Sequence, residues 1–335
     1  MTSHDSFIST LAPVFSDYMA LKQALGRRYA NERRILQSLD AFLTGLSDDA
    51  PRLTEATFAL WCKTLQHLSA TVRRNSMRVV RNLCLYWRRR DPNCFVPDLE
   101  LFPRPHQPVR PYIFADAEIV QLLDATRTLQ VTATWPLRPA AFRLAIVLLY
   151  TAGLRRGELL RLTVGDVDRH EQTLLIRASK FHKSRCLPLS PSAFEEIEHY
   201  FVTRQKHRGQ AATREPLLIW NVDGPASSYT GTGFGRVVRS LLQRAGIRKP
   251  DGRWPRVHDF RHSMAVNALL RWYRLGVDVQ TRLPLLATYM GHVSIVSTQY
   301  YLHLVDELAA SASDRFAQRC KGLLTGSNSA GGGAS

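Results

Sequence analysis

A proline-rich segment, FPRPHQPVRPY at residues 102–112, divides this sequence into two parts. Four of its eleven residues are proline, and proline cannot continue a helix because it lacks the backbone N–H and clashes with the preceding turn. The chain has 335 residues, which is more than one hydrophobic core usually supports. We therefore predict a first domain at residues 1–103, a linker at 104–112, a second domain at 113–325 and a flexible tail at 326–335.

Apolar spacing predicts helices throughout the first domain. Apolar residues recur every three to four positions in four segments, and none of these segments alternates as a half-buried strand would. The second domain adds further helical segments, the last at 297–318, and two short strands, TLLIRA and RCLPLS, around a polar turn. The predicted fold is mainly α, with an N-terminal helical domain and a C-terminal mixed α/β domain that holds one small antiparallel sheet.

The charge of the chain indicates a polyanionic partner. It carries 45 Lys and Arg against 28 Asp and Glu, a formal net charge of +17. Nucleic acid is the commonest partner of such a surface, because each neutralised phosphate releases counterions. The segment at 69–90 concentrates basic residues, and its candidate DNA-contacting residues are Arg73, Arg74, Arg78 and Arg81. A solvated helix face is the alternative interpretation.

The sequence contains no sign of a membrane, secretion or metal-binding role. No stretch approaches the about 20 apolar residues of a membrane span, and the N-terminus lacks the basic and then apolar pattern of a secretory signal. The five cysteines are odd in number and include no Cys-x-x-Cys pair, which argues against a disulfide framework or a zinc site. We expect a cytoplasmic, nucleoid-associated protein with no cofactor and no metal.

Two His-x-x-Arg pairs occur in the sequence, and chance alone predicts about one. His258 and Arg261 stand at the start of a helical segment, HDFRHSMAVNALL. They share the N-terminal end of that helix, where unpaired N–H groups and the helix dipole favour a phosphate. The other pair, His182 and Arg185, lies in the strand–turn–strand segment and has no such context.

Several segments resemble, in the same order, those of the tyrosine recombinases, which include phage integrases and Xer-type recombinases. TAGLRRGELLRL is similar to the first box of that family, ASKFHKSRCLPLS to its catalytic hairpin, HDFRH to its His-x-x-Arg box and YMGHVSIVSTQYYLHL to its final box. The resemblance covers about residues 112–310 and implies a full catalytic set with one supporting acid, Glu158. The catalytic residues that it implies are Arg155, Lys180, His258, Arg261, His292 and Tyr301.

The sequence departs from the family pattern in two places. Phe181 and His182 replace the small or polar residues usual after the lysine, and the tyrosine is doubled as Tyr300 and Tyr301. Neighbouring residues on a helix point about 100° apart, so the two tyrosines face different ways. We assign the nucleophile to Tyr301, nine residues after His292, and a packing role to Tyr300.

The arginines and their neighbours suit attack on a phosphodiester. Two guanidinium forks, Arg155 and Arg261, can hold the non-bridging oxygens as negative charge gathers there. His292 would add a hydrogen bond to the phosphoryl oxygen. Glu158, one helical turn from Arg155, is expected to orient the arginine and histidine rather than to transfer protons.

Proton transfer needs a base and an acid. The phenol of Tyr301 has an ordinary pKa near ~10, so its proton must be removed during attack, and His258 is the candidate base. Departure of the 5′ oxygen needs a donor, and Lys180 on the hairpin is the candidate. His182 and His262 are given no catalytic role.

The resemblance implies a site-specific DNA recombinase that forms a 3′-phosphotyrosine and releases a 5′-hydroxyl without metal or ATP. Its expected partners are double-stranded DNA with inverted-repeat core sites and further copies of the chain in a homotetramer. Integration, excision, transposition and dimer resolution are all compatible with the sequence.

Two alternatives stay open. A metal-dependent nuclease would need clustered carboxylates, of which the candidate site offers only Glu158. A non-catalytic DNA-binding regulator would have no use for a tyrosine in line with two arginines.

Overall fold

The computed structural model divides into two compact units, Met1–Val109 and Arg110–Ser335, and each has a hydrophobic core of its own. The predicted linker spans the boundary between them, and part of it lies outside the described residues. The structure describes residues 6–27, 29–46, 53–104, 110–132, 135–177, 184–206, 217–219, 229–292 and 294–303.

The first unit is helical. It contains α1 (Ala12–Ala24), α2 (Ala30–Thr44), α3 (Glu55–Thr64), α4 (Ala70–Trp87) and a short 3₁₀ turn, Leu99–Leu101. Helices α3 and α4 begin at capping residues, since Thr54 and Ser69 accept hydrogen bonds from the N–H groups of Thr57 and Val72. Apolar faces of all four helices meet in one core, which includes Phe15, Leu36, Leu39, Trp61, Val80 and Leu83.

The arginines of α4 do not share one environment. Arg78 is exposed and donates to Asn75 Oδ1 at 2.8 Å. Arg74 is half-buried, donates to the Pro103 carbonyl at 2.6 Å and lies over the Phe102 ring. Arg73 and Arg81 are half-buried as well. Arg74 therefore contributes to packing inside the first unit, whereas Arg78 presents its charge to solvent.

The second unit is built around a buried central helix, α6 (Arg138–Thr151), which packs against neighbouring helices on several sides. Eight of its fourteen residues are buried, as expected for a helix that is apolar all round. The other helices are α5 (Asp116–Thr126), α7 (Arg156–Leu159), α8 (Pro191–Lys206), α9 (Gly231–Arg244), α10 (Val257–Arg274), α11 (Val279–Met290) and α12 (Val296–Gln299), which continues into a 3₁₀ turn, Tyr300–His303.

A three-stranded antiparallel sheet follows α7. Its order is β1 (Val167–Asp168), β2 (Thr173–Ile176) and β3 (Arg185–Pro188), and Ile176 pairs with Arg185. The predicted mainly α fold with one small antiparallel sheet is confirmed. In the described ranges, no helix combines the length and apolar character that crossing a membrane requires.

Two elements differ from the sequence prediction. Helix α11 was not predicted, because Pro284 lies inside it and proline usually ends a helix. Burial of Leu283, Leu286 and Met290 on one face holds this segment helical despite the missing N–H. The helix predicted at 297–318 starts as one α-helical turn, Val296–Gln299, and continues in the tighter 3₁₀ form over Tyr300–His303; residues from 304 onward lie outside the described residues.

Candidate active site

The second unit brings most of the predicted catalytic residues to one place. Arg155 directly precedes α7, His258 and Arg261 lie in the first two turns of α10, and His292 and Tyr301 flank α12. The sixth predicted residue, Lys180, comes between β2 and β3 in the sequence and lies outside the described residues.

Glu158 is a buried junction between two arginines. Its Oε1 accepts from Arg155 Nη1 at 2.7 Å and from Arg185 Nη1 at 3.1 Å, and its Oε2 accepts from Arg185 Nη2 and the Arg155 backbone N–H, both at 2.9 Å. Burial alone would raise the pKa of Glu158, but the hydrogen bonds from Arg185 and Arg155 outweigh it and lower the pKa to about 2. Glu158 is therefore ionised at neutral pH and holds both guanidinium groups in fixed orientations.

Arg155 and Arg261, the two arginines predicted to bind the phosphate, also bind the turn at the end of α11. Arg155 Nη2 donates to the Gly291 carbonyl at 2.9 Å, and Arg261 Nη2 donates to the Met290 carbonyl. Arg261 Nη1 donates to the Gly153 carbonyl, and the whole residue is only 1% exposed. Three backbone carbonyls from two chain segments thus fix the two guanidinium groups next to each other.

Gly291 is required at the turn for two reasons. Its φ of +65° lies in the left-handed region, which is costly for other residues. A Cβ there would also lie 2.8 Å from Arg185 Nη1. The close approach of Arg185 to this turn therefore depends on glycine, which explains the Gly-His pair of the sequence in physical terms.

His292 follows that glycine and is held on both its backbone and its ring. Its N–H donates to the Ala287 carbonyl at 2.8 Å, and its Nδ1 lies 2.8 Å from the hydroxyl of the fully buried Thr298. Burial, together with the positive charges of Arg261 and Arg155, lowers the pKa of His292 to about 4. The ring is therefore neutral at pH 7, with Nδ1 engaged and Nε2 facing away from Thr298.

Tyr301 is buried, with 2% of its surface exposed, among apolar residues of α10 and α11 that include Met264 and Leu283. Its ring lies 6.3 Å from that of His292 and nearly parallel to it. Burial raises the pKa of Tyr301 above its usual value, and the charges of Arg261 and Arg155 offset part of this rise. The phenol is protonated at neutral pH and needs a base to react.

The two neighbouring tyrosines occupy different environments, as predicted. Tyr300 is 37% exposed, and its ring packs edge-on against that of Tyr301 at 6.0 Å between centroids. The 3₁₀ turn at Tyr300–His303 turns one tyrosine toward the arginines and the other toward solvent.

The sequence predicts no role for His262, yet its Nδ1 lies 3.1 Å from Tyr301 Oη. His258, the predicted base, is exposed in the first turn of α10 and packs edge-on against His262 at 4.7 Å between ring centroids. The signal for His262 was present in HDFRH, because residues four apart on a helix share a face. The sequence carries no comparable signal for Arg185.

A charge change at Glu158 tests the junction. We expect Glu158→Gln to lower the free energy of unfolding of the second unit by about 3–5 kcal/mol, because it leaves two half-buried guanidinium groups without their buried counter-ion. Urea denaturation at pH 7 measures this. Since the pKa of Glu158 is lowered to about 2 from 4.5, its stabilisation in the wild type is present above pH 4.5 and lost as the pH falls toward about 2.

Glu198→Gln is the matched control, because Glu198 pairs with an arginine, Arg169, whose side chain is 65% exposed. An exposed pair of this kind contributes about 0–1 kcal/mol. Equal losses in the two variants would contradict the assignment of Glu158 as a structural junction.

Comparison with known proteins supports the sequence assignment. Residues 113–307 match the phage integrase family. The chain is 31% identical over 315 residues to the putative integrase/recombinase y4rB of Sinorhizobium fredii, covering 93% of this chain and 98% of that one. It is 28% identical over 305 residues to the tyrosine recombinase XerD of Caulobacter vibrioides, covering 88% and 92% of the two chains.

Solved structures show the same fold at low identity. A Tn1549 transposon integrase in complex with transposon right end DNA superposes with a TM-score of 0.61 at 16% identity, covering 91% of this chain and 99% of that one. The XerH site-specific recombinase bound to its palindromic substrate gives a TM-score of 0.60 at 19% identity, covering 85% and 79%.

Fold and sequence together define a tyrosine recombinase. The chain belongs to the phage integrase family.

Proposed function

We propose that this protein is a site-specific DNA recombinase that cuts and rejoins DNA through a 3′-phosphotyrosine on Tyr301. The observation that carries the proposal is the convergence of Arg155, Arg261 and His292 on the turn at Gly291, with Tyr301 packed beside them. Trapping a covalent protein–DNA adduct tests it.

The two arginines would bind the scissile phosphate. A guanidinium has five N–H donors in a planar fork, and the backbone contacts of Arg155 and Arg261 use only some of them. The remaining donors suit the non-bridging oxygens, on which charge accumulates in the transition state. His258, exposed beside Arg261, would contact the same phosphate, and neutral His292 would donate from Nε2.

The reaction would proceed by exchange of one ester for another. Tyr301 Oη loses its proton to a histidine base as it attacks phosphorus, the bond from phosphorus to the 5′ oxygen breaks, and Lys180 donates a proton to that oxygen. In the rejoining step a 5′-hydroxyl returns its proton to Lys180 and attacks the phosphotyrosine. Because the covalent link conserves the bond energy, the cycle consumes neither ATP nor a metal-bound water.

The substrate and the assembly are proposed by analogy with the relatives. We propose double-stranded DNA with inverted-repeat core sites as the substrate, a homotetramer on that DNA, and association with the nucleoid. The first unit would be the core-binding domain and the second the catalytic domain, with the boundaries predicted from sequence. The relatives named above leave integration, excision, transposition and dimer resolution open as biological roles.

The arginines of α4 give a separate prediction about binding. If Arg78 contacts a DNA phosphate, Arg78→Ala should weaken binding and reduce the salt slope of log K by about 0.9 unit. Arg74→Ala should instead lower the stability of the first unit, because Arg74 binds the Pro103 carbonyl and covers Phe102. Fluorescence anisotropy across a salt series and urea denaturation measure the two effects.

Lys63→Ala is the control for loss of an exposed positive charge in the same unit. If Arg78→Ala binds DNA with unchanged affinity and salt slope, the solvated-face interpretation of α4 holds and the DNA-contact assignment fails.

A further inference from the structure

The hydroxyl of the candidate nucleophile is already hydrogen-bonded to a histidine. His262 Nδ1 lies 3.1 Å from Tyr301 Oη, and the two rings lie 5.5 Å apart at an angle of 58°. The two residues come from different elements, the second turn of α10 and the final 3₁₀ turn. Packing of the final turn onto α10 therefore creates this contact.

The surroundings of Tyr301 limit where its proton can go. The residue is 2% exposed and packs among apolar side chains, so bulk water has little access to it. A base must lie within about 2.6–3.2 Å of the proton's oxygen, or one water away. His262 Nδ1 meets that distance directly. In the part of the chain that the structure describes, this is the one side-chain hydrogen bond found at Tyr301 Oη.

His262 is also in the protonation state that a base requires. Burial and the neighbouring His258 lower the pKa of His262 to about 4, so the ring is neutral at pH 7 and one of its nitrogens is an acceptor. Asp259 acts in the opposite direction, while the charges of Arg256 and Arg261 lower this pKa further. A bound phosphodiester would offset the arginine charges and make His262 more basic when the reaction begins.

We infer that His262 is a catalytic residue that takes the proton of Tyr301 during strand cleavage, and that His258 contacts the phosphate instead. This inference rests on the proposed recombinase function.

The Tyr301 O–H bond breaks, its proton moves to His262 Nδ1, and the oxygen lone pair forms the bond to phosphorus. The electron pair of the bond to the 5′ oxygen leaves with that oxygen, which Lys180 protonates. In the rejoining step the phosphotyrosine bond breaks, and His262 returns its proton to Tyr301 Oη. No oxidant, reductant or metal takes part.

The test is single-turnover cleavage of a nicked suicide substrate by His262→Gln. Glutamine can accept a hydrogen bond from Tyr301 but cannot take its proton at neutral pH. We expect cleavage at pH 7 to be slower by about 100-fold to 10,000-fold, the usual contribution of a general base. DNA binding should be unchanged, because no charge is lost from a ring that is neutral. His170→Gln is the matched control, since the His170 side chain is 92% exposed.

A pH profile separates a base from a residue that merely positions the tyrosine. Because the His262→Gln variant lacks the base, only molecules in which Tyr301 is already ionised can react. The cleavage rate of the variant should therefore rise about tenfold per pH unit between pH 7 and 9 relative to the wild-type rate. A positioning role would leave the two profiles parallel. Besides Tyr301, the titratable and charged groups around this contact are His258, Asp259, Arg256 and Arg261 of α10 and its cap, His292, Arg155 and Tyr300.

The inference is overturned if His262→Gln cleaves at the wild-type rate. It is also overturned if the variant is slow but its pH profile stays parallel to that of the wild type. Both outcomes leave the recombinase function intact, because the wild-type adduct still forms. Failure of the wild type itself to form an adduct would instead contradict the proposed function.

Discussion

Replacing Tyr301 by phenylalanine is expected to abolish formation of the covalent protein–DNA adduct. The change removes only the hydroxyl group, which contains the nucleophilic oxygen, and the phenylalanine ring has no atom that can attack phosphorus. DNA binding should stay nearly unchanged, because a neutral phenol contributes no charge to phosphate contacts. A suicide substrate resolved by denaturing gel electrophoresis measures the adduct, and an anisotropy titration measures binding.

Tyr300→Phe is the matched control, since Tyr300 neighbours Tyr301 but is 37% exposed. It should retain adduct formation. The reverse pattern, with an adduct in Tyr301→Phe and none in Tyr300→Phe, would show that the other tyrosine is the nucleophile.

Arg261→Lys is expected to slow cleavage by about 100-fold to 1,000-fold, the cost of losing a preorganised donor to a developing oxyanion. Lysine keeps the positive charge but not the fork that reaches the Gly153 and Met290 carbonyls and the phosphate together. DNA affinity and its salt dependence should change little. Single-turnover rates on prebound substrate measure the effect.

Arg127→Lys is the control for this exchange, because the Arg127 side chain is 75% exposed. If Arg261→Lys cleaved bound DNA at the wild-type rate, the guanidinium would have no part in the transition state. Arg261 would then be a buried structural residue that links α10 to the turns at Gly153 and Met290.

The sequence identifies the site residues whose spacing along the chain is regular. His258 and Arg261 lie three apart on one helix, and Arg155 and Glu158 lie three apart at the start of another. Residues at such spacings share a helix face, so their proximity follows from secondary structure alone. The family resemblance then supplied their order and the distant Tyr301.

Contacts between distant segments could not be predicted in this way. Arg185 reaches Glu158 from the first residue of β3 only because the sheet packs beside α7. His262 meets Tyr301 only because the final turn folds back onto α10. These contacts depend on tertiary packing, which neither periodicity nor charge reveals.

Near the end of the described residues, tertiary packing also outweighs the local conformational propensity of the sequence. Helix α11 forms around Pro284 because its apolar face is buried. Here a short stretch of sequence favours one conformation and the surrounding core stabilises another.

The most direct test of the central claim is to map the covalent bond made by the wild-type protein. Duplex fragments carrying inverted repeats from the DNA that flanks the gene would be nicked to form suicide substrates and incubated with the protein in excess EDTA without ATP. After proteolysis, mass spectrometry should find a nucleotide attached to the peptide that contains Tyr301, and end-labelling should show a free 5′-hydroxyl. Cleavage that stops in EDTA and returns with magnesium, with no nucleotide on Tyr301, would contradict the proposal.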